Sequence, residues 1–303
     1  MPSRVVAVIA TYRRPQLLAR LLASLGDQGA SFGGAVVVLN GGDHASRAVV
    51  QGAAFPTRVL EPARNLGTGG GLGLGFQAAL EDPAVTHVWV LDDDACATPG
   101  ALEAMEQAGA RVGAGAVSPL VPDATGVITW FPGPLDEPAW TLVRRGATVA
   151  DFQRICGLEP RPWRWATWAS LLIRREAIVS SGLPRSDFWY QSTDIEYTLR
   201  LSWSHLCVLA PAAVCPHLPP AETPERRRLK DRWSLQNNAF LSTRLRHGWR
   251  ALRHLPGNHV RYWQRHGRDW PALRESWNAL YRGACLGLPV GADAFYASSR
   301  SQR

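Results

Sequence analysis

The stretch 87–102, HVWVLDDDACATPGAL, joins a short apolar run to three consecutive aspartates. The run is typical of a buried strand, and Pro99 marks a point where a helix can begin. Side chains alternate along an extended chain, so Asp92 and Asp94 point one way and Asp93 the other. Asp92 and Asp94 could therefore share one cation, and carboxylate oxygens favour Mg²⁺ or Mn²⁺. A solvated acidic turn or a helix cap is the alternative explanation.

The segments around this stretch alternate between strand and helix patterns over the first 100 residues. Strands are predicted in VVAVIATY, AVVVLN, TRVLEP and HVWVLDDD; helices are predicted in RPQLLARLLASLGDQG and in the second half of NLGTGGGLGLGFQAALED. This order predicts an α/β protein with a mostly parallel sheet flanked by helices. In such sheets ligands bind beyond the carboxyl ends of the strands, where Thr11, Arg13, Asn40 and the aspartates lie.

Length and composition limit the classes of protein to which the chain can belong. The chain has 303 residues, of which 46% are hydrophobic, so a sizeable core is expected and wholesale disorder is not. No apolar run reaches the roughly 20 residues that span a bilayer, and no leader precedes the first strand, so we expect a cytoplasmic protein. The five cysteines form no CxxC pair, which argues against a disulfide framework and a structural zinc site.

Positive charge is concentrated at the C-terminal end. Residues 226–303 carry 16 Arg and Lys against 4 Asp and Glu, within a net charge of +8. Helical patterns continue there, so we expect a domain over 1–222 and a basic helical extension over 223–303. Such a basic segment indicates a polyanion or an anionic membrane as partner, although a solvated arginine-rich surface explains it equally well.

Three further residues are candidates for a catalytic or metal-binding role. Asp194 and Glu196 begin a predicted helix, where they either complement the helix dipole and pair with Arg200 or supply a general base. His217 could add a nitrogen ligand to a metal site, although a lone histidine is usually structural.

Aromatic and glycine-rich segments have two explanations each. Trp163, Trp165 and Trp168 form either a platform for sugar rings or part of the core. The run NLGTGGGLGLGFQ either presents backbone N–H groups to phosphate or packs a helix closely on the sheet. Its formal GxGxxA match is weak, because it does not lie in the first strand–helix turn.

Taken in order over residues 4–245, these motifs resemble the inverting glycosyltransferases of family 2, which have the GT-A fold. Within them the chain is most similar to the galactofuranosyl- and rhamnosyl-transferase-like branch. The resemblance rests on VVAVIATYRRPQLLARLLASL, NLGTGGGLGLGF, VLDDDACATPGAL, the segment that ends in STDIEYTLRL, and RWSLQNNAFLSTR. One departure is Leu39 before Asn40, where the family usually has an aspartate that contacts the nucleotide base.

The resemblance implies a role for each matching residue. The metal ligands would be Asp92, Asp94 and His217, with Asp194 as catalytic base, Glu196 as its partner, and Trp165, Trp168 and Glu196 facing the acceptor. The donor would contact Thr11, Tyr12, Arg13, Asn40, Asn65, Gly69, Gly70, Asp92 and Asp93.

The implied function is metal-dependent transfer of a sugar from a nucleotide-diphosphate donor, with Mn²⁺ or Mg²⁺ as cofactor. The donor would be similar to UDP-galactofuranose or dTDP-rhamnose, and the acceptor a glycan or a polyprenyl-diphosphate-linked molecule in cell-surface polysaccharide synthesis. The basic extension suggests peripheral attachment at the inner face of the cell membrane, through an anionic membrane surface.

Two other classes compete with this interpretation. A nucleotidyltransferase acting on sugar phosphates would need a glycine in the first strand turn, which ATYRRPQLL lacks. A nucleic-acid-binding protein would leave the aspartates without a role, so no nucleic-acid partner is expected.

Overall fold

The computed structural model describes residues 4–244 and 254–286. The chain divides into two compact units, Met1–Ser186 with Asp194–Pro220, and Asp187–Thr193 with Ala221–Arg303. The proposed boundary at residue 222 between two domains stays a prediction. In the described residues no helix is both long enough and apolar enough to cross a lipid bilayer.

The first unit is built on one nine-stranded sheet. Its strands are β1 Val5–Thr11, β2 Phe32–Leu39, β3 Thr57–Leu60, β4 His87–Asp92, β5 Ala116–Pro122, β6 Ile128–Trp130, β7 Arg161–Pro162, β8 Ser170–Arg174 and β9 Cys207–Val214. The order is β3-β2-β1-β4-β8-β5-β9-β7, with β6 paired to β5. Strands β1 to β4 pair in parallel, as the sequence predicts, and so do β5 and β9. Because β8 is antiparallel to both β4 and β5, the second half of the sheet is mixed.

Helices flank this sheet. They are α1 Pro15–Leu25, α2 His44–Gln51, α3 Gly67–Leu80, α4 Ala101–Val112, α5 Ala139–Arg144, α6 Val149–Cys156, α7 Arg175–Ser181 and α8 Thr193–Ser204. Helix α2 was not expected from its sequence; Asp43 caps it by accepting a hydrogen bond from the backbone N–H of Ser46. The helix anticipated near Pro99 begins at Ala101.

The strands bury both faces, which produces two hydrophobic clusters. Val8 and Val90 belong to one cluster together with Phe76 of α3, and Ile9 and Leu91 belong to the other. Neighbouring residues of one strand therefore alternate between the two clusters, as expected for a sheet covered on both sides. This rigid layer fixes the position at which β4 ends.

The glycine-rich run is itself helical, and its glycines allow α3 to lie close to the sheet. A Cβ on Gly75 would lie 2.5 Å from Val8 Cγ1, and a Cβ on Gly71 would lie 2.8 Å from Asn40 Nδ2. At these two positions the requirement is for space rather than for a positive φ. The close-packing explanation of the run therefore holds for Gly71 and Gly75.

The second unit is helical, as predicted. Its helices in the described residues are α9 Pro224–Arg244, α10 His254–Arg265 and α11 Trp270–Cys285. A small core of Leu235, Tyr262 and Ala279 joins the three helices. The Asn237 side chain donates hydrogen bonds to the carbonyl oxygens of Tyr190 and Gln191, at 2.9 and 2.6 Å. Trp249, which belongs to the predicted basic extension, lies outside the described residues.

Candidate active site

The aspartate triplet meets His217 where β4 ends. His217 Nε2 lies 2.8 Å from Asp94 Oδ1 and 3.8 Å from Asp92 Oδ2. One ligand atom from each of the three residues lies within 4.8 Å of the other two. The structure thus brings together the three residues that were predicted to bind a metal.

Backbone pairing around the site explains why a residue after β9 reaches the end of β4. Ala95 and His217 form an isolated antiparallel bridge, and Leu218 N–H donates to the Asp94 carbonyl at 2.8 Å. His217 N–H donates to the Pro122 carbonyl at 2.9 Å. The parallel pairing of β5 with β9 therefore delivers His217 to the triplet.

The three side chains fit a hard divalent cation. Two carboxylates and an imidazole form a donor set that suits Mn²⁺, and Mg²⁺ accepts the oxygens. Adjacent ligands at about 2.1 Å from one octahedral ion lie about 3 Å apart. The separation of His217 and Asp94, 2.8 Å, matches this value, whereas that of His217 and Asp92, 3.8 Å, is wider. Asp92 keeps 38% of its side chain exposed, so solvent and a ligand can reach the cluster.

The electrostatics of the cluster also favour a cation. Burial and the adjacent charge of Asp94 raise the pKa of Asp92. Burial alone would lower the pKa of His217, but its hydrogen bond to Asp94 and the nearby carboxylates outweigh that effect and raise the pKa. The raised pKa of Asp92 reflects crowding of like charges next to Asp94, and a divalent ion would relieve that repulsion.

Asp93 is not one of the three clustered residues and is held by the end of β1 and the turn after it. Its carboxylate accepts hydrogen bonds from Thr11 Oγ1 and from Arg14 Nη1, both at 2.7 Å. The same guanidinium nitrogen lies 3.3 Å from Asp94 Oδ2. Burial nevertheless raises the pKa of Asp93, despite Arg14 and Thr11. Arg14 thereby links two members of the triplet.

Arg14 is a further candidate site residue, which the sequence alone did not indicate. The donor turn was assigned to Thr11, Tyr12 and Arg13. Arg13 adopts a left-handed backbone with φ 54°, and its guanidinium lies 5.3 Å from the Tyr12 ring centre. The Tyr12 side chain is exposed. Contact of Tyr12 and Arg13 with a donor stays a prediction, whereas Arg14 has a defined place beside the aspartates.

Trp130 is a second residue that the sequence analysis missed. It ends β6, and its ring centroid lies 5.3 Å from that of His217, edge to face. The Trp130 side chain is partly exposed. Nothing in the sequence around ITW separates this tryptophan from the others, because its position depends on the pairing of β6 with β5.

Asn40 and Asn65 shape the loop before α3. Asn40 Nδ2 donates to the Gly67 carbonyl at 3.3 Å, and Asn40 Oδ1 accepts from Leu66 N–H at 3.2 Å. Asn65 Oδ1 accepts from Gly67 N–H at 2.8 Å. Asn40 is buried and has an evident role in holding this loop. Donor contacts by Asn40 and Asn65 stay predictions.

Gly69 and Gly70 lie in the first turn of α3 and are both buried. A Cβ on Gly70 would lie 2.9 Å from Leu66 Cβ, so the turn leaves little room for a side chain there. This crowding explains why glycine occupies position 70 without any ligand. Donor binding by the two glycines stays a prediction.

Asp194 lies in the first turn of α8, and its carboxylate accepts a hydrogen bond from Ile195 N–H at 2.9 Å. Burial raises the pKa of Asp194 to about 6, against the opposing effect of backbone N–H groups that include that of Trp168. The charge of Asp194 in turn contributes to the raised pKa of Asp92, so the two carboxylates lie within electrostatic range. A carboxylate with a pKa near neutral pH is suited to general-base catalysis.

Glu196 forms a buried ion pair with Arg200, as the spacing of the two residues allows. Arg200 Nε and Nη2 donate to the two carboxylate oxygens at 2.8 and 2.9 Å. Arg200 also donates to the carbonyls of Ser181 and Leu183. This geometry fits the structural explanation offered for Glu196. Its predicted catalytic and acceptor contacts remain predictions.

The tryptophans before β8 are mostly packed. Trp163 and Trp168 are buried, and the Trp168 ring contacts Phe76 and Tyr197, with centroid distances of 6.2 and 5.3 Å. Trp165 is half-buried and pairs with Gly133 in an isolated bridge. The core-packing explanation therefore holds for Trp163 and Trp168. Acceptor binding by Trp165 and Trp168 stays a prediction.

Comparison with known families identifies this architecture. The family model described as "Glycosyl transferase family 2" matches residues 6–159, which is half of the chain and includes the aspartate triplet. The chain belongs to glycosyl transferase family 2. It is therefore a glycosyltransferase, and the nucleotidyltransferase and nucleic-acid-binding alternatives are not supported.

Two mycobacterial galactofuranosyltransferases are similar to this chain in sequence. Galactofuranosyltransferase GlfT1 of Mycobacterium tuberculosis is 30% identical over 215 residues, which cover 68% of this chain and 67% of GlfT1. GlfT1 of Mycolicibacterium smegmatis is 39% identical over 90 residues, or 30% of each chain.

Solved structures place this family 2 chain among GT-A glycosyltransferases in fold. Staphylococcus aureus TarS matches with a TM-score of 0.60 and 12% identity over 99% of this chain and 53% of TarS, so the chain spans about half of that protein. The mannosyltransferase PcManGT of Pyrobaculum calidifontis, solved with GDP-Man and Mn²⁺, matches with a TM-score of 0.54 and 17% identity. The match covers 100% of this chain and 82% of PcManGT. GalNAc-T7, solved with UDP, GalNAc and Mn²⁺, matches with a TM-score of 0.56 and 12% identity. The match covers 85% of this chain and 54% of GalNAc-T7.

Proposed function

We propose that this glycosyltransferase is a metal-dependent, inverting enzyme that transfers a galactofuranosyl group from its nucleotide diphosphate. The observation that carries the proposal is the cluster of Asp92, Asp94 and His217, with the partly buried base candidate Asp194 in electrostatic range. Similarity to galactofuranosyltransferases supports UDP-galactofuranose over dTDP-rhamnose as donor.

The donor side consists of the cluster and the turn after β1. Asp92, Asp94 and His217 would hold Mn²⁺ or Mg²⁺, which would neutralise the charge of the leaving diphosphate. Asp93, which Thr11 and Arg14 hold by hydrogen bonds, would accept hydrogen bonds from a ribose or sugar hydroxyl. The remaining donor contacts would come from Tyr12, Arg13, Asn40, Asn65, Gly69 and Gly70.

Asp194 would act as general base for the acceptor. Its carboxylate takes the proton of an acceptor hydroxyl while that oxygen bonds to C1 of the sugar. The bond between C1 and the diphosphate oxygen breaks on the opposite face, so one displacement inverts the anomeric configuration. Glu196 supports this base by fixing α8 through Arg200, while positioning of the two substrates supplies much of the remaining rate.

The acceptor is proposed to be a glycan or a polyprenyl-diphosphate-linked sugar in cell-surface polysaccharide synthesis. Trp165 and Trp168 are the candidates for its aromatic contacts. We further propose that residues 1–222 carry the transfer site, and that the basic extension over 223–303 attaches the protein to an anionic membrane surface.

A donor panel tests this function. Nucleotide release from UDP-galactofuranose, UDP-galactose, dTDP-rhamnose and GDP-mannose is measured with Mn²⁺, Mg²⁺ or EDTA and a set of saccharide acceptors. We expect release from UDP-galactofuranose with a divalent ion, and a product whose anomeric configuration, read by NMR, is inverted. Nucleotide release from dTDP-rhamnose and from no other donor would show that the proposed donor, UDP-galactofuranose, is wrong. Retention of configuration, or equal rates in EDTA, would contradict the proposed chemistry.

A further inference from the structure

Helix α11 packs small residues inward and presents its large aromatic residues to solvent. Its buried residues are Ala272, Ser276, Ala279 and Gly283. On the opposite face lie Trp270, Trp277 and Tyr281, exposed to 71%, 60% and 72%. Residues seven and eleven positions apart fall on one line along an α-helix, so these three side chains form one aromatic stripe.

Burial within the unit does not explain this stripe. The core of the unit uses Leu235, Tyr262 and Ala279 instead. Trp277 contacts one neighbouring ring, that of His259, with centroids 4.8 Å apart, and otherwise remains largely exposed. Exposing three large aromatic side chains to water is unfavourable, and a continuous exposed apolar surface usually marks an interaction site.

The charge along the stripe is positive. Arg274 lies between Trp270 and Trp277 on the same line, and Arg282 follows Tyr281; both arginines are exposed. Glu275 is the one acid in the sequence of α11, and Arg228 of α9 binds it with Nη2 at 2.8 Å from Oε2. Glu275 is therefore paired with Arg228, and the stripe combines aromatic surface with the positive charge of Arg274; Asp269, which caps α11, is the acid next to Trp270 in the sequence.

We propose that the aromatic stripe, together with Arg274, docks on the surface of an anionic lipid bilayer. Tryptophan and tyrosine rings are favourable at the level of the lipid headgroups, where an apolar body and a polar tip are both satisfied. Arginines beside them attract anionic headgroups.

Charge favours this occupant over a second copy of the chain. Pairing two stripes would bring together two segments that each carry 16 basic and 4 acidic residues over 226–303. Shape disfavours single-stranded nucleic acid, because such ligands need a positively charged groove, whereas the stripe is a ridge on one helix. The proposal rests on the membrane attachment proposed above for residues 223–303 and assigns it to particular side chains; it is independent of the transfer chemistry.

Vesicle binding by the full chain tests the proposal. Co-sedimentation is measured with vesicles of phosphatidylcholine alone and with 30% phosphatidylglycerol. We expect binding to the anionic vesicles, weakened by salt, and about a tenfold lower partition coefficient for each of Trp270→Ala and Trp277→Ala, equivalent to about 1.4 kcal/mol. Arg274→Gln should weaken binding to the anionic vesicles specifically.

Matched controls separate docking from folding. Ile155→Ala with Leu158→Ala removes two exposed apolar side chains from the first unit and should leave vesicle binding unchanged. The melting temperature of each stripe variant, measured by circular dichroism, should equal that of the wild type, because the mutated side chains are exposed. Sugar-nucleotide turnover with a water-soluble acceptor should also be unchanged.

Three results would each overturn the proposal. The first is failure of the wild-type protein to bind anionic vesicles. The second is equal binding by Trp270→Ala/Trp277→Ala. The third is a wild-type dimer that the double variant converts to monomer, or oligonucleotide binding that it abolishes, since either would assign the stripe to a different partner.

Discussion

Replacing Asp194 by asparagine should abolish transfer and at the same time stabilise the protein at neutral pH. The structure raises the pKa of Asp194 from 3.8 to about 6, chiefly through burial. Keeping this carboxylate ionised at pH 7 therefore costs about 2–3 kcal/mol of folding free energy, at 1.36 kcal/mol per pKa unit. Asparagine removes the charge, and its carbonyl oxygen can still accept the hydrogen bond from Ile195 N–H.

The stability effect has a definite direction with pH. Because the folded pKa lies above the unfolded one, stability from protonated Asp194 is complete below pH 3.8 and is lost as pH rises through about 6. The variant should therefore match the wild type near pH 3.5 and melt roughly 4–12 °C higher at pH 7, for a unit of this size. Melting curves recorded without metal from pH 3.5 to 8 provide the measurement.

Asp194→Asn should slow catalysis as well as stabilise the protein. Loss of the base should lower kcat by about 10²–10⁴-fold, while the donor dissociation constant stays unchanged. In the wild type with saturating Mn²⁺, kcat/KM should rise with pH as Asp194 loses its proton, with a midpoint below the metal-free pKa of about 6, because a nearby cation favours the carboxylate.

A control and an opposing result sharpen the test. Asp151 also lies in the first turn of a helix, but hydrogen bonds from Thr148 and Arg154 lower its pKa. Asp151→Asn should therefore leave activity unchanged and lower the melting temperature at pH 7. If Asp194→Asn behaved in the same way, Asp194 would be a helix cap, and the assignment of the base would be refuted.

Three further predictions follow from packing and charge. Glu196→Gln should destabilise the protein by about 3 kcal/mol because it leaves Arg200 buried without its partner, and thermal unfolding measures this; unchanged stability with lost kcat would instead support a direct role in the acceptor site. Arg14→Lys should weaken Mn²⁺ binding about 10-fold by calorimetry, since lysine keeps the charge but is one atom shorter and cannot place its nitrogen where Arg14 Nη1 contacts both aspartates; an unaltered dissociation constant would remove Arg14 from the metal site. Gly75→Ala should cost about 1–3 kcal/mol in urea unfolding because its Cβ would crowd Val8, and a neutral result would show that α3 can shift.

The sequence predicted the position of the aspartates because their local pattern is strong. An apolar run that ends in charge marks the carboxyl end of a strand, and alternation along the chain pairs Asp92 with Asp94. His217 could not be placed by such local rules, because it reaches the site through the pairing of β5 with β9 and the bridge to Ala95. Resemblance to a family supplied that residue instead.

Other features depend on tertiary structure that no local pattern encodes. Arg13 and Arg14 are identical in type, and the positive φ of Arg13 accompanies the geometry in which Arg14 meets the aspartates. Trp130 reaches His217 because β6 folds back on β5. The glycine run becomes a helix because packing against Val8 outweighs the low helix propensity of glycine.

The most direct test of the account is release of UDP from UDP-galactofuranose by the wild type and by Asp94→Asn, each with Mn²⁺ and with EDTA. Asp94→Asn keeps the shape of the side chain but removes the charge that faces His217. The account predicts Mn²⁺-dependent release by the wild type, none in EDTA, and a loss of at least 10²-fold in the variant that added Mn²⁺ partly restores. Release by the wild type that is equal in EDTA, or undiminished in Asp94→Asn, would contradict the claim that this cluster is the metal centre of a glycosyltransferase.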